Sequence, residues 1–350
     1  NLAIGWEALK VHTTGARNIA IGEKAMNDTN AGSTSLGSID NIFVGVDAGG
    51  GTWADAASNY NVGIGNYVMD AAMNGAIYNV GIGHSALSDL TTGESNVAIG
   101  GHALENNTSG VANIAIGSWD SSTYQAPMTT NQVGSFNIAI GSGVLRLANE
   151  NDNDGSVGIG YGALNNQAGT GGAQFANATV GIGYKALTAL TTGAANTAVG
   201  YQSGASLVDG NQNSIFGYNA GYSLTEGLDN TAMGYGALYA ENDGDYCVAI
   251  GSLALNSQTG VSGAVRNTAL GYKAGYAVTT GVRNVIIGTD AAVGMQDADE
   301  CVIIGNYAMA ANATQDGTIA IGRSALAALT SGANNVAVGY QAFYTATELD

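Results

Sequence analysis

The apolar positions of this chain follow neither a helical period nor a simple strand alternation. They recur in a five-residue unit of the form Asn–apolar–small–apolar–Gly. The unit begins at residues 1, 18, 41, 61, 79, 96, 113, 137, 156, 179, 196, 213, 230, 247, 267, 284, 301, 318 and 335, which gives 19 copies. Eleven of the 18 spacings are 17 residues, and the others run from 18 to 24. No segment falls outside the scheme, so residues 1–350 read as one repeat array without a domain boundary.

Each position of the unit carries a physical expectation. The fifth is Gly in all 19 copies, from Gly5, Gly22 and Gly100 to Gly200 and Gly339. Uniform Gly implies a structural bend with positive φ, or a backbone approach too close for a Cβ. The fourth is always large and apolar, and the second is apolar in 15 copies and Thr or Ser in four. Two-residue alternation puts these two positions on one face of a short strand, and the pattern predicts that they form the stacked interior. Position three then points the other way. It is Ala or Gly in 15 copies and Phe43, Ile215, Ile286 or Ile303 in the rest. A strand face open to water collects polar residues. A small apolar face is therefore expected to receive another backbone, which makes Ala98, Ala115, Ala139 and Ala198 a predicted self-association face. Coil geometry that excludes larger groups is the other reading of the same pattern.

Position one is Asn in 14 copies, and stacked Asn side chains can hydrogen-bond from coil to coil. Position eight is usually Ala and position nine often Leu or Met, and a second turn follows, as in Thr91-Thr92-Gly93. Seventeen residues with two Gly turns leave no room for a useful helix. The prediction is an all-β parallel solenoid, a β-roll of about 19 coils. At ~4.8 Å per coil such an array extends on the order of 85–90 Å.

Composition sharpens this reading. Gly is 54 of 350 residues and Pro a single residue, Pro127, while 45% of residues are hydrophobic and only 10% charged. Many short strands joined by tight turns suit that balance, and disorder does not. A net charge of −18 repels nucleic acid and anionic membrane, so neither is an expected partner. No run reaches the ~18 apolar residues of a membrane span. Asn1 opens the chain inside the pattern, so a segment of a longer fibre is expected. Cys247 and Cys301 both occupy position one, three coil steps or ~14 Å apart, too far for a disulfide within the chain. His12, His84 and His102 show no metal spacing, and no nucleophile–base constellation or phosphate loop is present.

The segments Asn96-Val97-Ala98-Ile99-Gly100, Ser156-Val157-Gly158-Ile159-Gly160 and Cys247-Val248-Ala249-Ile250-Gly251 resemble the repeats of YadA-like heads of trimeric autotransporter adhesins. Asn196-Thr197-Ala198-Val199-Gly200-Tyr201-Gln202 is also similar to repeats of phage tail-fibre proteins. The resemblance covers essentially the whole chain. It implies a left-handed parallel β-roll, assembly as a homotrimer or lateral fibre, and a place outside the cell, on a cell or virion surface.

Candidate sites fall in insertions at residues 27–40, 49–60, 121–136, 146–155 and 166–178, where solenoids place binding loops. Trp53, Tyr60, Trp119, Tyr124 and Phe136, with Phe175, are aromatic candidates for stacking on a surface glycan or gripping a protein receptor, or for packing locally. Tyr184, Tyr201, Tyr218 and Tyr235 follow the invariant Gly in four consecutive units, and Tyr161, Tyr272 and Tyr340 repeat the position. They are expected to form an aromatic ladder, with ring stacking favoured over a glycan track. Acidic stretches at residues 150–155, 241–245 and 296–300 could hold Ca²⁺, but none has a full calcium-loop spacing, so solvated turns are expected and no cofactor is assigned. The sequence thus points to a non-enzymatic structural and adhesive fibre. A tailspike-like glycan hydrolase, which needs two carboxylates facing a groove, and an ice-binding solenoid are the alternatives.

Overall fold

The structure, a computed structural model, describes residues 1–12, 14–29, 37–119, 125–146, 154–167, 178–259, 263–314 and 316–348. Among them, every copy of the unit forms a three-residue strand on positions two to four, and no α-helix occurs. Neighbouring strands pair in parallel, like position on like position. Val80, Gly81 and Ile82 face Val97, Ala98 and Ile99, and Thr197, Ala198 and Val199 face Ser214, Ile215 and Phe216. The chain is a parallel β-solenoid of about 18 turns of roughly 17 residues. Its contacts define two compact units, Asn1–Thr179 and Val180–Asp350, each built from the same coil.

The bend after the strand is made as the sequence demands. The position-five Gly residues have φ between +117° (Gly160) and +152° (Gly117). A Cβ on Gly83 would also lie 2.5 Å from the Gly100 carbonyl carbon of the next coil. Both reasons for Gly, the torsion and the close approach, therefore apply at once. The segment that follows is less expected. Positions seven and nine hold positive φ with ordinary side chains, as in Glu7 (59°), Leu9 (52°), Ser85 (52°) and Leu87 (56°). The residue before position one does so too, as in Arg17 (61°) and Ser95 (57°). This conformation is costly for L residues, and it is offset by the hydrogen bonds it aims at neighbouring coils. The Leu253 N–H donates to the Tyr235 carbonyl of the preceding coil (2.8 Å), and the Leu255 N–H to the Ala274 carbonyl of the following one (3.0 Å). The coil thus has two walls, the strand and this kinked segment, each hydrogen-bonded to its neighbours.

The structure reverses the expected facing of the strand. Position three is buried in every strand but the first, and neither position two nor position four is buried in any. Ala98, Ala115, Ala139 and Ala198, predicted as a contact face for other chains, have no exposed surface. Residues of the opposite wall at positions eight and nine, such as Ala103, Leu104, Val144 and Leu145, are buried as well. The physical reason is the thinness of the coil: a Cβ added to Gly81 would come within 2.7 Å of Val68 and 2.9 Å of Met69 on the opposite wall. Large residues from both walls do not fit.

Three of the four large residues at position three obey the same volume rule. Where position three is Phe43, position nine is Gly49, and a Cβ there would sit 3.0 Å from the Phe43 ring. Gly204 and Gly221 likewise make room for Ile215 (3.0 and 3.3 Å), and Gly275 for Ile286 (2.9 Å). In these coils interior volume is exchanged between the walls, whereas Ile303 is buried in the same coil as Met309.

Position one completes the interior with a polar ladder. The Asn79 Oδ1 accepts from the backbone N–H and the Nδ2 of Asn96 (3.0 Å each), and Asn96 repeats the pattern toward Asn113 (3.0 and 3.1 Å). Each Nδ2 also donates to a turn carbonyl, for Asn96 that of Gly110 (2.8 Å). Buried amides arranged this way are fully satisfied. Cys247 and Cys301 take the same place, their backbone N–H groups donating to Asn230 and Asn284 Oδ1 (2.8 and 2.9 Å).

Candidate interaction surfaces

Turning position three inward leaves the large aliphatic residues outside. Ile64 is 42% exposed, Ile99 36% and Ile140 37%. In each unit they form two parallel columns, positions two and four, with side chains about one strand spacing apart. All 19 residues at position four are apolar, as are 15 of 19 at position two, and none at either position is charged. Monomeric proteins seldom expose a contiguous apolar patch above roughly 300–600 Å². A ladder of this kind continued over successive coils is a contiguous apolar strip of the sort that marks an interaction surface. The sequence pattern identified these residues, but the two-residue alternation put them on the wrong side.

The kinked wall carries the aromatic residues. The ladder read from the sequence is a stack of rings: Tyr184–Tyr201, Tyr201–Tyr218 and Tyr218–Tyr235 have centroids 5.1, 4.8 and 5.6 Å apart. A second column at position ten, Tyr222 on Tyr239 at 5.3 Å, runs beside it and was not identified from sequence. In the first unit a mixed row joins Tyr67, His84, His102 and Trp119 with centroid separations of 5.5, 5.3 and 5.1 Å. His84 and His102 look scattered in sequence, and only the coil register brings them together. Trp119 is exposed beside a cleft of about 310 Å³ that is also lined by His102, Glu105, Asn106, Gln125 and Thr129. His102 Nδ1 lies 3.0 Å from Glu105.

The remaining loop candidates separate. Trp53 is an interior residue rather than a binding one: it has no exposed surface, meets Phe43 edge-on at 6.0 Å, and donates from Nε1 to the Gly49 carbonyl (3.1 Å). Tyr60 stacks on Tyr78 at 4.9 Å, and Phe136 is exposed. Tyr124 and Phe175 lie outside the described residues.

The acidic stretches hold neighbouring coils. Asp243 accepts from Thr225 Oγ1 (2.5 Å) and Asp245 from the Leu228 N–H (2.8 Å). Asp297 accepts from Thr279 and Thr280 (2.9 and 3.1 Å), and Glu300 pairs with Arg283 (3.0 Å). Among the described residues no cluster of His, Cys, Asp or Glu could hold a metal ion, and residues 150–153 lie outside them. Burial pushes the Cys247 thiol up to about 11 and raises that of Cys301, which keeps both protonated and poorly nucleophilic. Burial, then repulsion from Asp89 and Asp47, raises the Asp70 carboxyl to about 6. Among the described residues no helix is long and apolar enough to cross a membrane. The chain matches no family model and no curated protein.

Proposed function

We propose that this chain is a structural segment of an extracellular fibre whose copies associate laterally through the outward aliphatic columns. The observation that carries the reading is the uncharged double row of half-buried and exposed side chains, most of them Ile or Val, along each unit. A uniform strip with a repeat of one strand spacing is matched rung for rung by another copy of itself. A closed assembly in which each strip faces a common axis removes all of this surface from water. Three copies achieve that closure, in keeping with the resemblance to trimeric adhesin heads and tail fibres. The aromatic wall then faces away from the axis, and the Trp119 cleft and insertion loops are the places where the fibre would attach to a surface.

Sedimentation equilibrium of the intact chain tests the association. Three times the single-chain 34.9 kDa is the expected mass. A single-chain mass at micromolar concentration would contradict the proposal.

A further inference from the structure

The two tyrosine columns of the second unit are interrupted at the same coil. Backbone hydrogen bonds fix the register: the Leu253 N–H donates to the Tyr235 carbonyl (2.8 Å) and the Lys273 N–H to the Ser252 carbonyl (3.0 Å). The order along the position-six column is therefore Tyr218, Tyr235, Ser252, Tyr272. Along the position-ten column the Ala240 N–H donates to the Asn256 carbonyl (3.1 Å) and the Ser257 N–H to the Tyr276 carbonyl (3.2 Å), giving Tyr222, Tyr239, Asn256, Tyr276. One coil thus places two short polar side chains where its neighbours on both sides carry rings. Tyr235, the last ring of the continuous stack, is also its most exposed member at 57%, against 40% for Tyr201.

A cleft of about 250 Å³ opens beside this interruption, over Gly236 in the Tyr235 coil, lined by Asn219, Tyr235, Gly236, Tyr239, Leu253 and Asn256. Gly236 occupies position seven, where the adjoining coils carry Asn219 and Leu253, and its lack of a side chain forms the floor. Asn256 is held by an Nδ2 bond to the Gly236 carbonyl (2.8 Å). Asn219 Oδ1 is shielded from water and has no hydrogen-bond partner. A buried orphan acceptor is costly, and a small turn of the side chain would offer it to a hydroxyl seated in the cleft. Among the described residues no charged side chain lines the cleft, and the chain's charge of −18 disfavours an anionic ligand.

We propose that this notch is a binding site for one pyranose ring of a neutral glycan. The sugar sits over Gly236 with its apolar face against the Tyr235 and Tyr239 rings, and its hydroxyls meet the Asn219 and Asn256 amides. The site lies on the wall opposite the aliphatic columns and does not depend on the association proposed above.

The test is calorimetric titration of the intact chain with neutral methyl pyranosides and with maltohexaose, cellohexaose and chitohexaose. Saturable binding of at least one sugar is expected, weakened about tenfold or more in Tyr235→Ala and abolished in Gly236→Asn, which fills the floor. The adjoining coils carry Asn219 and Leu253 at the same position with the same positive φ, so the fold and the sedimenting mass of the second variant should be unchanged. Retention of binding in Gly236→Asn, or no saturable binding of any sugar up to the solubility limit, would overturn the proposal.

Discussion

Asn96 hangs from Asn79: one side-chain oxygen of Asn79 receives both the backbone N–H and the side-chain N–H of Asn96, each at 3.0 Å. Asn96 in turn holds Asn113 by the same two bonds. This rail turns a degenerate five-residue unit into a register, because a slip of one residue would bury a row of unsatisfied amides. Asn96→Ala is predicted to cost roughly 2–4 kcal/mol locally. In a solenoid, stability is close to a sum over neighbouring coils. The loss should therefore show as at least about 30-fold faster hydrogen exchange at the Asn113 amide, fading within a few coils.

Gly100 and Gly101 are adjacent, yet they should behave oppositely. Gly100 has φ +127°, and a Cβ there would overlap the Gly117 carbonyl. At Gly101 a Cβ finds only the His84 carbonyl oxygen, at 3.9 Å. Gly100→Ala is predicted to destabilise the first unit by more than about 4 kcal/mol. Gly101→Ala should be neutral or add about 0.4–1 kcal/mol. Thermal melts of the two variants compare them directly.

The raised carboxyl of Asp70 gives a pH dependence with a defined sign. Its folded value of about 6 lies above the ordinary 3.8, so between these values the folded state binds more protons than the unfolded one. The stabilising contribution of this group is fully present below about pH 3.8 and is lost as pH rises through 6. Asp70→Asn is predicted to flatten the melting temperature across that window and to raise it at pH 7. An unchanged slope between pH 4 and pH 7 would count against the burial of this carboxyl.

Inside the second unit, Glu241 and Gln258 stand where neighbouring coils bury Leu207 and Leu224. Glu241 accepts from the Asn242 and Gly244 N–H groups (3.0 and 2.9 Å) and from Gln258 Nε2, while Gln258 Oε1 accepts from Asn267 (2.8 Å). Glu241→Leu alone should cost about 2–4 kcal/mol by stranding Gln258. Adding Gln258→Leu should recover about 1–3 kcal/mol of it. Chemical denaturation of the two single variants and the double variant closes the cycle.

The repeat, the parallel solenoid and the Gly bend were legible because each rests on residues that have few alternatives. Gly at position five admits one explanation of its torsion, and Asn at position one accounts for the rail. The facing of the strand was not legible from alternation alone, since both faces of Val97-Ala98-Ile99 are apolar. The signal that decides it lies elsewhere in the chain: Phe43 comes with Gly49, Ile215 with Gly204 and Gly221, and Ile286 with Gly275. Such exchange of volume between positions three and nine places them in one interior. The left-handed torsions at Leu9, Ser85 and Leu87 gave no signal, because those residue types do not favour them and only inter-coil hydrogen bonds hold them there. Among candidate sites, Trp53 was misplaced because loop aromatics look alike in sequence whether they face in or out. The row from Tyr67 to Trp119 required the coil register to see.

The central claim is that the Ile and Val columns are the surfaces that copies of this chain bury against one another. It is tested most directly by maleimide labelling of Ile99→Cys and Tyr201→Cys across a dilution series, with buried Cys247 and Cys301 as the unreactive background. Cys at position 99 should be protected at high concentration and become reactive as the assembly dissociates, while Cys at position 201 reacts throughout. Equal reactivity of the two at every concentration, with the fold intact, would contradict the account.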